Sequence, residues 1–239
     1  MSKFRLVGGE VYDPANRVDG KIQDVWIEGG HVIAAPAAER AAEFSMIDVS
    51  GRIVMPGGVD MHSHVVGPKV NMARRMQPEL FVADYLDDPR EIRGNRIVPT
   101  IAASAFNYIG MGYTTVMDAA ISPLAARQVH HELEHFPCMD AGFFVLVGNN
   151  HFLLEAAAKK DVDGAARFLS WLLRRCGAFA PKLVNPGGVE NWKAGRHGTT
   201  RDLSTPVAGF QTNPRQFIET IAIAANQIGL PHPIHLHCN

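Results

Sequence analysis

Cysteine is scarce in this chain. Three occur in 239 residues, Cys138, Cys176 and Cys238, and none forms a CxxC pair. That odd count excludes a disulfide framework and, with no secretory leader, points to a reducing compartment, so the expected location is the cytoplasm. The opening "MSKFRLVGGEVYDP" lacks the basic-then-apolar build of a signal peptide. No stretch approaches the roughly 20 apolar residues that a bilayer-spanning helix needs. An excess of charge of one sign is missing too: the formal net charge is -1 and the pI is near 6.8. Nucleic acid and anionic membrane are therefore not the expected partners, and a small molecule or a protein fits better. Repeats and low-complexity tracts are absent; the alanine-rich "AAPAAERAAEF" is a short loop or helical turn.

Apolar material is plentiful. Hydrophobic residues make up 46% of the chain and charged ones 20%, enough for a sizeable core. The first fifty residues read as short strands with glycine turns. "FRLVGGEVYD" is a strand broken at Gly8-Gly9, "DVWIEGGHVIAA" a hairpin around Gly29-Gly30, and "SMIDVSGRIVMPG" another strand pair around Ser50-Gly51. Residues 1–55 are accordingly expected to form a small β part.

From Pro56 onward strands alternate with helical stretches, which predicts a parallel sheet with right-handed crossovers. Helices are expected over "RIVPTIAASAFNYIGMG", over "SPLAARQVHHELEHF" with Ser122 as cap, and over "DVDGAARFLSWLLRRCG" stopped by Gly177. A further one is expected over "TNPRQFIETIAIAANQIGLP", with Asn213 as cap and Pro214 in the first turn. Five strands are expected to end near His62, Asp118, Gly148, Lys182 and His237. A complete eight-stranded barrel takes about 250 residues by itself, and an insertion from about Val65 to Val98 uses part of residues 56–239. The fold class is therefore α/β, an incomplete TIM-like barrel of about five strands, with the last strands expected beyond Asn239.

Three places carry candidate chemistry. In "PGGVDMHSHVVGPKVN", His62 and His64 stand two residues apart in extended chain, so both imidazoles point the same way and can share a metal ion. Asp60 is close enough to support them from behind. Lys182 sits inside the apolar strand "FAPKLVNPGG". A lone buried ammonium is costly, so the amine needs a partner, loses its proton, or takes up CO2 as a carbamate that bridges metals; the plain alternative is a lysine that snorkels to water. His235 and His237 repeat the two-residue spacing in the final strand; His237 is the favoured ligand, being nearer the carboxyl end, with His235 as a buried, hydrogen-bonded residue or the fallback ligand. Asn149, Asn150 and His151 follow the third strand and are substrate-side candidates, as are Asp118, Lys69 and Asn71 at other strand ends. His131 and His135 have ligand-like spacing on a helix, but there they read as a solvated face.

This layout resembles the amidohydrolase superfamily, in "IEGGHVIAA", "IDVSGRIVMPGGVDMHSHV" and "MGYTTVMDAA". Within it, "HSHVVGPKVNMARRM", "GYTTVMDAAISPLAARQVHHELEHFP", "FVLVGNNHFLLE", "KLVNPGGVENWKAG" and "HPIHLHCN" are similar to the family formed by the A-type subunit of formylmethanofuran dehydrogenase, with its bacterial branch in the formyltransferase/hydrolase complex. The resemblance implies a metal-dependent barrel with a small β-sandwich built partly from the N-terminal strands. It implies two divalent ions, zinc by expectation, on His62, His64, Lys182 as a CO2-derived carbamate, and His237. The implied chemistry is hydrolysis of the formyl amide of formylmethanofuran or a methanofuran-like cofactor, or its reversal. The implied partners are the other subunits of such a complex, which would hold any tungsten, molybdenum or iron–sulfur centre. A further histidine and an acid/base aspartate are expected beyond Asn239, so the chain alone is expected to be inactive. The rival readings are a hydantoinase- or dihydroorotase-like enzyme and a scaffold subunit without catalysis.

Overall fold

The structure, a computed structural model, describes residues 2–76, 100–196 and 202–237. Expectations that fall on residues 77–99, including part of the insertion and the start of the helix expected from Arg96, lie outside the described residues, as do Cys238 and Asn239. The chain divides into two compact units, Met1–Gly57 and Gly58–Asn239. Among the described residues no helix is long and apolar enough to cross a membrane.

The first unit is a five-stranded sheet. Its elements are β1 (Lys3–Asp13), β2 (Val18–Glu28), β3 (His31–Ile33), a single helical turn α1 (Ala38–Ala41), β4 (Ser45–Asp48) and β5 (Ile53–Val54). Gly8-Gly9 does not break β1. It makes a bulge, with a register shift between Leu6 and Gly9 against β2 and Gly8 at φ 75°. The Gly8 N–H donates to Asp24 Oδ1 at 3.1 Å, and Asp24 also accepts from Arg5, whose guanidinium holds that carboxyl below its usual range. The Ser50-Gly51 turn does not join a hairpin, contrary to the glycine pattern: β4 and β5 each pair parallel with β1, so Ser50-Gly51 carries the chain along the same edge. The Gly29-Gly30 hairpin is present, with φ of 60° and 82° at its two central residues. Only that left-handed pair matches the strand twist, and it favours glycine. Gly30→Ala is expected to lower stability by about 1 kcal/mol in urea unfolding, from backbone strain alone, since a Cβ there meets nothing within 4 Å.

The second unit is a five-stranded parallel sheet in chain order, β6 (Gly58–Ser63), β7 (Tyr113–Ile121), β8 (Asp140–Leu146), β9 (Ala180–Val184) and β10 (His235–His237). Among the described residues its helices are α2 (Pro68–Met76), α3 (Ile101–Gly110), α4 (Ala126–Leu133), α5 (His151–Lys159), α6 (Val162–Cys176), α7 (Gly188–Lys193) and α8 (Pro214–Gln227). The three central strands, β7, β8 and β9, carry consecutive buried residues, which is why they read as apolar runs, whereas β6 and β10 at the sheet's edges are intermediate to exposed. On one face Val116, Phe143, Val145 and Leu183 join Leu153, Leu169, Phe217 and Ile221 of the helices in the main core. On the other, Met117, Phe144 and Ala180 form a small second cluster lining the concave side.

The helix ends follow their caps. Asp161 Oδ1 accepts from Gly164 N at 2.8 Å, Asn213 Oδ1 accepts from Gln216 N at 2.9 Å with Pro214 in the first turn, and Gly177 closes α6 in the left-handed region. Ser122 is not a side-chain cap: Pro123–Ala125 form a tight 3-10 turn first, and α4 begins at Ala126. The α5 helix was not expected from the sequence. Asn150 Oδ1 caps it by accepting from Leu153 N at 3.2 Å, which places Asn150 in the scaffold.

Candidate functional site

The sheet curls so that its two outer strands approach each other, the start of β10 meeting β6 near its carboxyl end. His235 Nε2 on β10 lies 2.9 Å from His62 Nδ1 on β6, and the ring of His237 is centred 5.6 Å from that of His62. His64, just past β6, is centred 5.9 Å from His62. Lys182 is directly opposite His235 in the β9–β10 register and is 1% exposed. Period-2 alternation then puts Lys182 and His235 on the same face as Phe144, on whose ring His235 stacks at 4.4 Å. Thus His62 and His64 from the first strand, Lys182 from the fourth and the histidines of β10 come to one concave mouth.

Burial is the first cause that pushes the His62 and His235 imidazoles below their ordinary value; the charge of Lys182 and the neighbouring imidazoles add to it, and His235 falls to about 4. Both shifts favour the neutral ring, the form that binds a metal. The contact is made by His235, whereas proximity to the strand end favours His237 in the sequence.

The support behind the histidines was only partly legible. Asp60 does not hold an imidazole: its Oδ1 accepts from the backbone N–H of His62 at 2.9 Å and its Oδ2 from the Tyr108 hydroxyl at 2.6 Å. The hydroxyls of Ser63 and Tyr108 are 2.7 Å apart. Asp118 lies beside His64, with Oδ1 at 3.6 Å from His64 Nδ1. It is 1% exposed and also accepts from the N–H groups of Val65, Val66 and Ala120. It therefore fixes the turn that follows the two histidines. Glu132 extends the same support, accepting from Gly67 N at 2.7 Å and Asn71 Nδ2 at 2.6 Å, while Arg74 donates to Asn71 Oδ1 and Val65 O. Asn71 thus belongs to the loop's framework. Glu132 stands two turns into an ordinary helical pattern, so nothing in the sequence singled it out.

Burial, then the bond to Asp60, pushes the Tyr108 phenol up to about 12. Because the folded-state value lies above the unfolded one of 10.0, the stability this group contributes is complete below pH 10 and is lost as pH rises through about 12. Alkaline difference absorbance should show a tyrosine step at about 12 that Tyr108→Phe removes; a phenol titrating near 10 at this position would contradict the bond to Asp60.

At the ends of β8 and β9, Asn149 Oδ1 accepts from Val189 N at 3.1 Å and Asn150 caps α5, so both amides serve the loops. His151 keeps an exposed ring; its Nε2 is 3.0 Å from Glu190 Oε1, which also accepts from Lys193. His131 is on α4 and His135 lies two residues past its end, where its exposed ring meets the backbone carbonyl of His131.

Could these residues hold metal? Among the described residues, no set of three or more His, Cys, Asp or Glu side chains is already arranged as a metal cage. The chemistry of the donors nevertheless fits. Two ligand nitrogens on one tetrahedral zinc stand roughly 3.3 Å apart for bonds of about 2.0–2.1 Å; His62 Nδ1 and His235 Nε2 share a hydrogen bond at 2.9 Å, so a common ion would have to part them by a few tenths of an ångström and displace the shared proton. Imidazoles that close, beside a buried lysine, are a nitrogen-rich donor set of the kind that suits zinc-type ions.

Comparison with known proteins gives a consistent picture. The amidohydrolase family profile matches residues 45–233. Protein FwdA of Methanocaldococcus jannaschii is 38% identical over 99% of this chain and 41% of its own length. The A-type subunit of the formyltransferase/hydrolase complex Fhc of Methylorubrum extorquens is 34% identical over 98% of this chain and 42% of its own. The crystal structure of the formyltransferase/hydrolase complex from Methylorubrum extorquens with methylofuran superimposes with a TM-score of 0.85 at 30% identity, covering 99% of this chain and 42% of that one. The present chain spans about two-fifths of the length of these relatives.

Proposed function

Because the chain belongs to the amidohydrolase family, we propose that it serves as a metal-dependent hydrolase of a larger complex and acts on the formyl amide of a formylmethanofuran-type cofactor. The reaction releases formate and the free amine, or runs in reverse. The observation that carries this reading is the 2.9 Å contact between His62 and His235, beside a lysine opposite His235 in the sheet. The substrate class is supported by the relatives' names and by the methylofuran held in the solved complex. The same relatives support assembly with other subunits.

On this reading His62, His64 and His237 or His235 hold the ions, and Lys182 adds CO2 to its neutral amine, giving a carbamate and releasing a proton. The carbamate would replace a donor-only amine with an anion whose buried charge is compensated only by the divalent ions it would help to hold. Bound divalent ions supply Lewis acidity toward the amide carbonyl and toward water. Asp118 and Asp60 keep the two histidines and their turn in place. His151, with Glu190 behind it, faces open space at the strand ends and is the remaining substrate-side candidate.

Metal content and formate release from the formylated cofactor, measured on the intact protein, test this together. The expected result is about two divalent ions per chain, activity lost on chelation and regained with zinc. Full activity in metal-free protein would reject the reading.

A further inference from the structure

On the helical layer, α6 presents one face at i, i+3, i+4 spacing: Arg167, Trp171, Arg174 and Arg175. With Gln227 and Ile228 at the end of α8 these residues line a cleft of about 750 Å³. Trp171 is 55% exposed and continues an aromatic ladder, with ring centroids 5.5 Å from Phe168, which stacks at 4.6 Å on Phe152, itself 50% exposed. The acid in this cleft, Asp163, is engaged by Gln227 Nε2 at 2.7 Å. Among the described residues, none of the three guanidiniums has an ion pair or hydrogen bond.

From this we infer that the α6 face is a docking surface for an acidic peptide segment of a protein partner. Two of the arginines stand in the last turn, where a cation complements the helix dipole. The dipole explains neither Arg167, two turns earlier, nor a large indole left in water. Tryptophan and arginine side by side are the residue types that dominate protein interfaces. Planar guanidiniums donate to carboxylates two bonds at a time, and a cleft edged by three of them against the single carboxylate of Asp163 keeps an excess of positive charge that favours an anionic occupant. Its protein nature follows from the compactness of the patch. The net charge is -1, and among the described residues this cleft gathers three arginines in a compact patch, a smaller basic surface than duplex nucleic acid or a lipid surface would need. These residues take no part in the proposed hydrolysis, so the two readings stand or fall separately.

Calorimetry on the full chain tests it, with a synthetic Asp/Glu-rich octapeptide containing one tyrosine as the probe. Binding that weakens by about tenfold or more in the charge-reversal variant Arg167→Glu/Arg174→Glu/Arg175→Glu, and again in Trp171→Ala, is the expected result. Circular dichroism confirms the fold of each variant, with Arg167→Glu alone as the substitute should the triple variant not fold. The inference is overturned by absence of peptide binding, by equal affinity in the variants, or by tighter binding of short duplex DNA or phosphatidylserine vesicles through the same arginines.

Discussion

Replacing His62 and His64 together with alanine is expected to lower formate release by at least about a hundredfold and to strip the protein of metal. Removing only a supporting partner of a metal-binding histidine typically costs about 10–100-fold in metal affinity or activity, so loss of the imidazoles themselves sets that range as a floor. Both positions are exposed and at the mouth of the sheet, outside its apolar clusters, so the fold should survive. Elemental analysis and a formate assay on the same preparation separate the cases. Metal retained with activity lost would move these histidines to the substrate side. Metal and turnover both unchanged would end the hydrolase proposal for this mouth. Comparing His235→Ala with His237→Ala by the same two measurements decides which imidazole of β10 completes the set.

The second large effect is on stability. Asp118→Ala is expected to destabilise the protein by roughly 3 kcal/mol or more in denaturant unfolding, because three backbone N–H groups lose their acceptor and each buried orphan costs about 1–3 kcal/mol. The three are Val65 at 3.0 Å, Val66 at 3.2 Å and Ala120 at 3.2 Å. Asp118→Asn keeps one acceptor oxygen and should lose clearly less. If the two variants unfold together with the wild type, the carboxylate is not what holds the turn after His64.

The sequence carried the strand-and-helix alternation because the central strands β7, β8 and β9 are apolar runs and the helices have well-formed ends at Asp161, Gly177 and Asn213. It also carried the oddity of Lys182, since a charged residue within "FAPKLV" stands out against its neighbours. It could not show that His235, rather than His237, reaches His62, because that depends on how strongly the sheet curls, a property of the whole and not of any one segment. Nor could it show that Asn150 and Asn71 spend their amides on the framework: an asparagine at a cap and one at a ligand look alike in a string of letters. Glu132 and Tyr108, which hold the mouth from behind, come from helices distant in sequence and carry no local signature.

The His62–His235 contact joins residues 173 apart in the chain, while every strand between them pairs with its immediate predecessor or successor. The sheet can thus grow one strand at a time, each closing only a modest loop, but the mouth exists only when the last strand has been laid down. Ion uptake should therefore be a late event in refolding, trailing the return of helical signal, and its rate would serve as a clock for the arrival of β10.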